Sequence, residues 1–409
     1  METEIFLTTF QKIPDIILKS ARFWLPLALL FLGWKLWVNY VREEWLSTIK
    51  WVLLEIKVPK EVFKSPAAME LALSNALSQG GGVANNYNKY WQGRVINWFS
   101  LEIVSLGGEI HFLIRTPVVF RRIIESQIYA QYPQAEIFEV ADYVEEAIAD
   151  MHKREYALWG TEFKLTKEDA YPIKTYTDYG LDKAVGSTDE NQRIDPITPM
   201  LEWMGGIGPN EQVWFQIVLR TSKWTYQKGG LMGGYSDYKE GAKKVLDEMK
   251  KKFEPTEADQ FKRIAMTEED KQAMSAISRS LNKQGFDCGI RALYLAPKDN
   301  FDGMNITGLT GIMKQYNSFS LNGFAPTNPT AFDYPWQDPT KTKAVGLKRE
   351  MLDAYAQRSW FYPPYVRPHF VLTSEELATI FHFPGRVSET PSLGRIESNK
   401  SEPPTNLPI

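Results

Sequence analysis

Hydrophobic and polar positions divide the chain into one long apolar stretch and a patterned remainder. Residues 23–41, FWLPLALLFLGWKLWVNYV, hold a single charge, Lys35. A helix needs about 20 apolar residues to cross a ~30 Å hydrocarbon core, so this stretch predicts a transmembrane helix within an anchor spanning 1–46. Lys35 lies near its C-terminal end, where a lysine side chain can reach the interface. Pro26 is expected in the first turn, where its missing N–H costs little. Trp24, Trp34, Trp37, Tyr40 and Trp45 cluster around the stretch. They are expected at the membrane interface, because indole and phenol rings favour the headgroup zone. Residues 5–18 have apolar positions on more than one face and are expected to lie in the interface plane. A cleaved signal peptide fits less well: Glu2, Glu4 and Asp15 precede the stretch and no small-residue cleavage site follows. Lys12, Lys19 and Arg22 before it and Arg42 and Lys50 after it leave its orientation open by charge.

From residue 51 the pattern becomes that of a folded domain. WVLLEIKV (51–58) reads as a strand and residues 66–79 as a helix with Ala, Met and Leu at helical spacing. Residues 98–117 alternate on both sides of Gly107-Gly108, which predicts a hairpin. An amphipathic helix over 118–132 and a strand over 135–143 follow. The order β-α-β-β-α-β predicts a ferredoxin-like unit over 50–145. A second pass gives strands at 156–165 and 170–176, a short helix at 197–204 and a strand at 212–221. Helices at 238–253 and 268–284, a short strand at 261–266, a strand at 286–296 and a helix at 305–316 complete a second unit over 155–318. It carries a Gly-rich insertion at 224–238. Residues 319–387 read as a Pro-rich strap and helical bridge, with helices at 347–358 and 373–380. The tail, 388–409, holds Pro391, Pro403, Pro404 and Pro408 and reads as extended. The fold class expected is therefore α+β: one transmembrane helix, two tandem ferredoxin-like units and a Pro-rich tail.

Composition sharpens this little. Hydrophobic residues make up 44% and charged residues 24%, the balance of a globular chain. The formal net charge of −3 argues against a surface that grips nucleic acid along its whole length, and leaves local contact open. The basic stretches at 243–252 and 341–349 read as solvated helix faces. The single cysteine, Cys288, excludes an intrachain disulfide and reads as a buried thiol in a strand.

Chemistry is hard to find. A phosphate loop needs glycines followed by Lys and a hydroxyl. GGLMGGYSDYKEG (229–241) lacks the G-K-[ST] element, and GLTGIMKQ (308–315) lacks the Gly-Lys pair. His111, His152, His369 and His382 show no ligand spacing with one another or with Cys, Asp or Glu. G-x-S-x-G is absent. Glu145-Glu146 and Glu375-Glu376 read as solvated positions or helix starts. No catalytic, cofactor-binding or metal-binding residue is expected.

SLEIVSLGGEIHFLIRTP (100–117) and ESQIYAQYPQAEIFEVADY (125–143) resemble the N-terminal region of bacterial membrane-anchored conjugative-transfer ATPases, the type IV secretion coupling and HerA-like motors. DPITPMLEWMGGIGPNEQVWFQIVLR (195–220) is similar to their second module. EELATIFHFPG (375–385) and TPSLGRIESNKSEPPTNLP (390–408) resemble the bridge into the motor. The resemblance implies soluble domains in the cytoplasm, a cytoplasmic-membrane location, self-association as a homo-oligomer and a separate motor ATPase as partner. The Walker motor that follows in those proteins is not in this sequence, so their ATPase activity does not transfer. The expectation is a non-enzymatic scaffold subunit that docks the motor through Glu375, Glu376, Phe381, Phe383, Pro403 and Pro404. The regulatory half of a split motor and a membrane scaffold unconnected with DNA are the alternatives.

Overall fold

The structure is a computed structural model that describes residues 2–59, 64–78, 85–182, 194–222, 226–227, 235–236, 238–253, 266–332 and 334–384. The chain divides into two units, Met1–Lys50 with Gly82–Ile96, and Trp51–Gly81 with Asn97–Ile409.

In the first unit, α1 (Glu2–Ser47) is one helix of 46 residues. At 1.5 Å per residue it is about 69 Å long. The expected start near residue 23 is not a helix start: α1 runs through Pro14 and Pro26. Pro26 therefore sits mid-helix, where it removes an i to i−4 hydrogen bond, a defect that helices in a bilayer tolerate. A short helix, α3 (Asn86–Tyr90), also lies in this unit, capped by the Asn85 side chain, which accepts from the Asn88 N–H at 2.9 Å.

The second unit is built on an antiparallel sheet. Its elements are β1 (Trp51–Lys57), α2 (Pro66–Leu77), β2 (Trp98–Leu106), β3 (Glu109–Pro117), α4 (Arg121–Gln131), β4 (Glu136–Val140) and α5 (Tyr143–Met151). There follow β5 (Tyr156–Leu165), α6 (Thr198–Gly205), β6 (Gln212–Thr221), the two-residue ladder β7 (Tyr226–Gln227) and β8 (Tyr235–Ser236), α7 (Tyr238–Phe253) and α8 (Glu268–Ser280). The rest are β9 (Gly285–Pro297), α9 (Met304–Gly311), β10 (Phe324–Thr327), α10 (Thr342–Ala356), β11 (Phe370–Thr373) and α11 (Ser374–Ile380).

The sheet runs β10-β5-β9-β6-β2-β3-β1-β4, with β11 also paired to β9. From the central β2–β6 junction outward, each half follows the order second, third, first, fourth strand. The two expected domains thus share one sheet, with Glu102 opposite Gln216 at the junction. The β2–β3 hairpin closes through Gly107 and Gly108, whose φ of 61° and 94° lie where a Cβ would be strained.

Two layers cover the sheet. On one face α2, α4, α6, α9 and α11 close the main apolar core around Leu54, Phe99, Leu101, Phe215, Ile217 and Ile290. On the other, α5 and α10 cover Leu53, Val104, Trp214 and Leu293. Because both faces are covered, β2, β6 and β9 are buried along nearly their whole length. Each large apolar side chain so buried contributes roughly 1.5–3 kcal/mol.

Several local expectations change. Residues 170–176 form no strand. Pro172 interrupts them, and the Ile173 and Tyr176 N–H groups donate to the Glu376 and Thr379 side chains instead of to a ladder. The strap contributes β10, which pairs with β5, and the segment before α11 contributes β11. α5 begins two residues before the expected end of the first unit, capped by Asp142, which accepts from the Val144 N–H. The expected strand at 261–266 and the Gly-rich insertion at 224–238 lie largely outside the described residues.

Candidate functional site

α1 carries the most unusual surface among the described residues. Over Ser20–Ser47 it is long and apolar enough to cross a membrane, and none of its most apolar window is buried. Phe23, Leu25, Leu27, Leu29, Leu30, Phe31, Leu32 and Leu36 are all exposed. Of the five expected interface residues, Trp24 and Tyr40 are exposed and Trp45 half-buried. Trp34 lies tilted against Tyr90 with centroids 5.6 Å apart. The Trp37 indole donates to the Tyr90 carbonyl at 3.1 Å and meets Trp91 edge-on. These contacts place aromatic rings around the C-terminal half of the helix, where one edge is held and the other is free.

α11 was expected to present a docking surface, and it is buried instead. Its start is a capping box: Thr373 Oγ1 caps the helix, and the Glu376 carboxylate accepts from the Thr373 N–H at 2.8 Å. Glu376 also accepts from the Ile173 N–H. Burial pushes its pKa up to about 7, against the pull of these donors. Glu375 accepts from Arg279 Nε at 2.9 Å and Thr175 Oγ1 at 2.6 Å. Ser374 Oγ donates to Glu70, which also receives Lys283 and the Tyr176 hydroxyl. Phe381 and Phe383 pack edge-on against Phe112, and Phe383 also against Tyr132. Glu375, Glu376, Phe381 and Phe383 are thus core residues, because partners distant in sequence surround them. Pro403 and Pro404 lie outside the described residues.

A second buried ionic cluster crosses the opposite face of the sheet. Cross-strand pairing aligns Glu162, Arg291, Gln216 and Glu102 on β5, β9, β6 and β2. Glu102 is wholly buried and accepts from Arg358 Nε at 2.9 Å, Ser100 Oγ at 2.6 Å, Tyr143 OH at 2.8 Å and Gln216 Nε2 at 3.1 Å. Burial opposes its ionisation, but the Arg358 guanidinium outweighs that and holds its pKa below the usual carboxylate range. Arg358 bridges onward to Asp142 at the start of α5. Arg291 sits over the Trp360 ring, 4.7 Å from the centroid, and burial brings its pKa down to about 10. Trp360 reaches this position because Gly289 has no Cβ; one there would lie 2.0 Å from the indole. With every Glu102 oxygen bonded and no exposed surface, this cluster ties α5 and the segment after α10 to the sheet. The available sequence signal was a charge flanked by buried-strand residues, as in SLEIV and GIRAL.

The remaining candidates are structural contacts. His111 Nδ1 lies 2.7 Å from Glu55 Oε1, and His382 lies between the Ala378 carbonyl and Asp195. Cys288 is fully buried, and burial raises its pKa. Residues 308–315 form part of α9 and the turn after it, with Leu309, Ile312 and Met313 in the core. Among the described residues no three His, Cys, Asp or Glu side chains converge as metal ligands.

No curated protein matches the sequence. A family model, described as a domain of unknown function (DUF8128), matches residues 96–395, well over half of the chain. The match begins after β1, a strand of the sheet, and after α2, a helix that covers it. On this match, the chain belongs to the DUF8128 family.

Proposed function

We propose that this protein is a membrane-anchored, non-enzymatic scaffold subunit of a type IV secretion or conjugation-like DNA-transfer machine. α1 would be a retained single-pass helix, and the sheet domain would hold a separate motor ATPase at the cytoplasmic membrane. The observation that carries the anchor is the exposed apolar face of α1: a run of leucine and phenylalanine bare to solvent fits lipid rather than water. The link to DNA transfer rests on the sequence resemblance alone. We read the sheet as two ferredoxin-like units joined edge to edge, supported by the repeated strand order on either side of the β2–β6 junction.

Since α11 is part of the core, motor docking through the tail would use only residues beyond Pro384. Membrane fractionation tests the anchor. The full chain is expected to stay with membranes through alkaline carbonate and to keep residues 1–47 by intact mass. Release by carbonate, or a mature form lacking α1, would overturn it. Co-purification of an ATPase is expected with the full chain and reduced with a chain ending at Pro384. Equal recovery sinks tail docking, and no ATPase with either chain sinks the machine assignment.

A further inference from the structure

The strap after β10 ends in a feature that neither the core nor the anchor explains. Tyr334 and Trp336 stack with centroids 4.6 Å apart and planes 12° from parallel. Trp336 is 72% exposed, and Phe332 beside them is exposed too. The turn is held rather than loose. Gln337 Oε1 accepts from the Tyr334 N–H, while the Gln337 N–H returns to the Tyr334 carbonyl. Buried Asp338 accepts from the Lys343 and Ala344 N–H groups and ties the turn to the start of α10.

Charge lies next to these rings. The Lys343 ammonium donates to the Gln337 carbonyl at 3.2 Å, one residue from Trp336. Lys341, Lys343 and Val345 are all exposed. The C-terminal half of α10 buries Met351, Ala354 and Tyr355, while its first turns have almost no buried side chain. The result is a fixed projection with flat amphipathic rings at its tip and cations at its base. Asp338 is turned inward; Asp333, between Phe332 and Tyr334, lies outside the described residues and offsets one of the two lysine charges.

We propose that this tip is a second membrane contact, docking on an anionic phospholipid surface with Tyr334 and Trp336 at headgroup depth and Lys341 and Lys343 on the phosphates. Indole and phenol rings prefer that zone, and basic residues beside them add charge complementarity. The inference rests on the reading of α1 as a membrane anchor. Three residues separate α1 from β1, so an inserted α1 would tether the sheet domain to a bilayer by a short segment.

The test uses the full chain in bilayer discs, with Ala331→Cys carrying a polarity-sensitive dye; buried Cys288 does not compete for the label. In discs containing phosphatidylglycerol the dye emission is expected to shift to the blue and lose access to aqueous iodide. Discs of phosphatidylcholine alone should leave it aqueous. The shift should vanish in Tyr334→Ala/Trp336→Ala. Lys341→Gln/Lys343→Gln should lower docked occupancy by about 30-fold, from about fivefold per basic residue near an anionic surface. Equal emission in both kinds of disc overturns the proposal. So does a shift that needs residues 385–409 rather than anionic lipid, which would assign the rings to a protein segment. A chain that fails to enter the discs overturns the anchor reading and this inference with it. A chain that enters with an unchanged dye overturns this inference alone.

Discussion

α1 and α11 invert the ordinary relation between polarity and burial in opposite ways. α1 exposes leucines from Leu25 to Leu36, whereas α11 buries two adjacent glutamates. In α1 the polar backbone is satisfied within the helix, and its side chains ask only for an apolar surrounding. In α11 the side chains are ionisable, and burial is tolerated because each carboxyl group meets donors from elsewhere in the chain. Polarity alone therefore does not say which side of a surface a residue takes. The partner set does.

The difference can be broken most sharply by trimming one leucine in each helix. Leu377→Ala in α11 should lower unfolding stability by about 4 kcal/mol, since Leu377 is wholly buried. Leu30→Ala in α1 should leave the denaturant midpoint of the sheet domain unchanged, and matching losses would erase the distinction. Leu30→Arg should cost membrane insertion about 3 kcal/mol and reduce the membrane-bound fraction without moving that midpoint.

Glu376 sharpens the contrast through pH. Its pKa rises from an ordinary 4.5 to about 7 on folding, so between these values the folded chain binds more protons than the unfolded one. This contribution is full below pH 4.5 and is lost as pH rises through about 7, by at most about 3 kcal/mol. Against Glu376→Gln, which keeps a capping side chain, the wild type should lose relative stability across that window. A flat difference would show that the buried carboxylate does not titrate there. The smallest effect expected is that of Trp336→Ala in detergent, within about 0.5 kcal/mol of wild type, since the ring is mostly exposed.

Legibility followed sequence distance. β5, β6 and α7 have the bounds their patterns predict, because periodicity and capping are local signals. The glycine hairpin was legible for the same reason. β10 was not: it is four residues long, contains Pro326, and pairs with β5, so that Phe324 faces Leu165. Proline is allowed there because β10 is an edge strand. The capping box of α11 was visible in TSEE, but its burial was not, since Glu70, Thr175 and Arg279 come from far along the chain. Asp142 and Glu102 meet only through Arg358, more than 200 residues away. The aromatics around α1 were legible as a cluster, and the partnership of Trp34 and Trp37 with Tyr90 was not.

The way the chain enters and leaves the sheet domain has a mechanical consequence. The N-terminal entry is β1, hydrogen-bonded on both sides, to β3 and to β4. The C-terminal exit is α11, riveted by Arg279 and by the hydrogen bonds around Glu70 and Glu376. A pull on either end therefore acts first on an element bonded to several others, not on an edge strand. Tension between a fixed N-terminus and a moving C-terminal load would pass through the domain before it could unravel it.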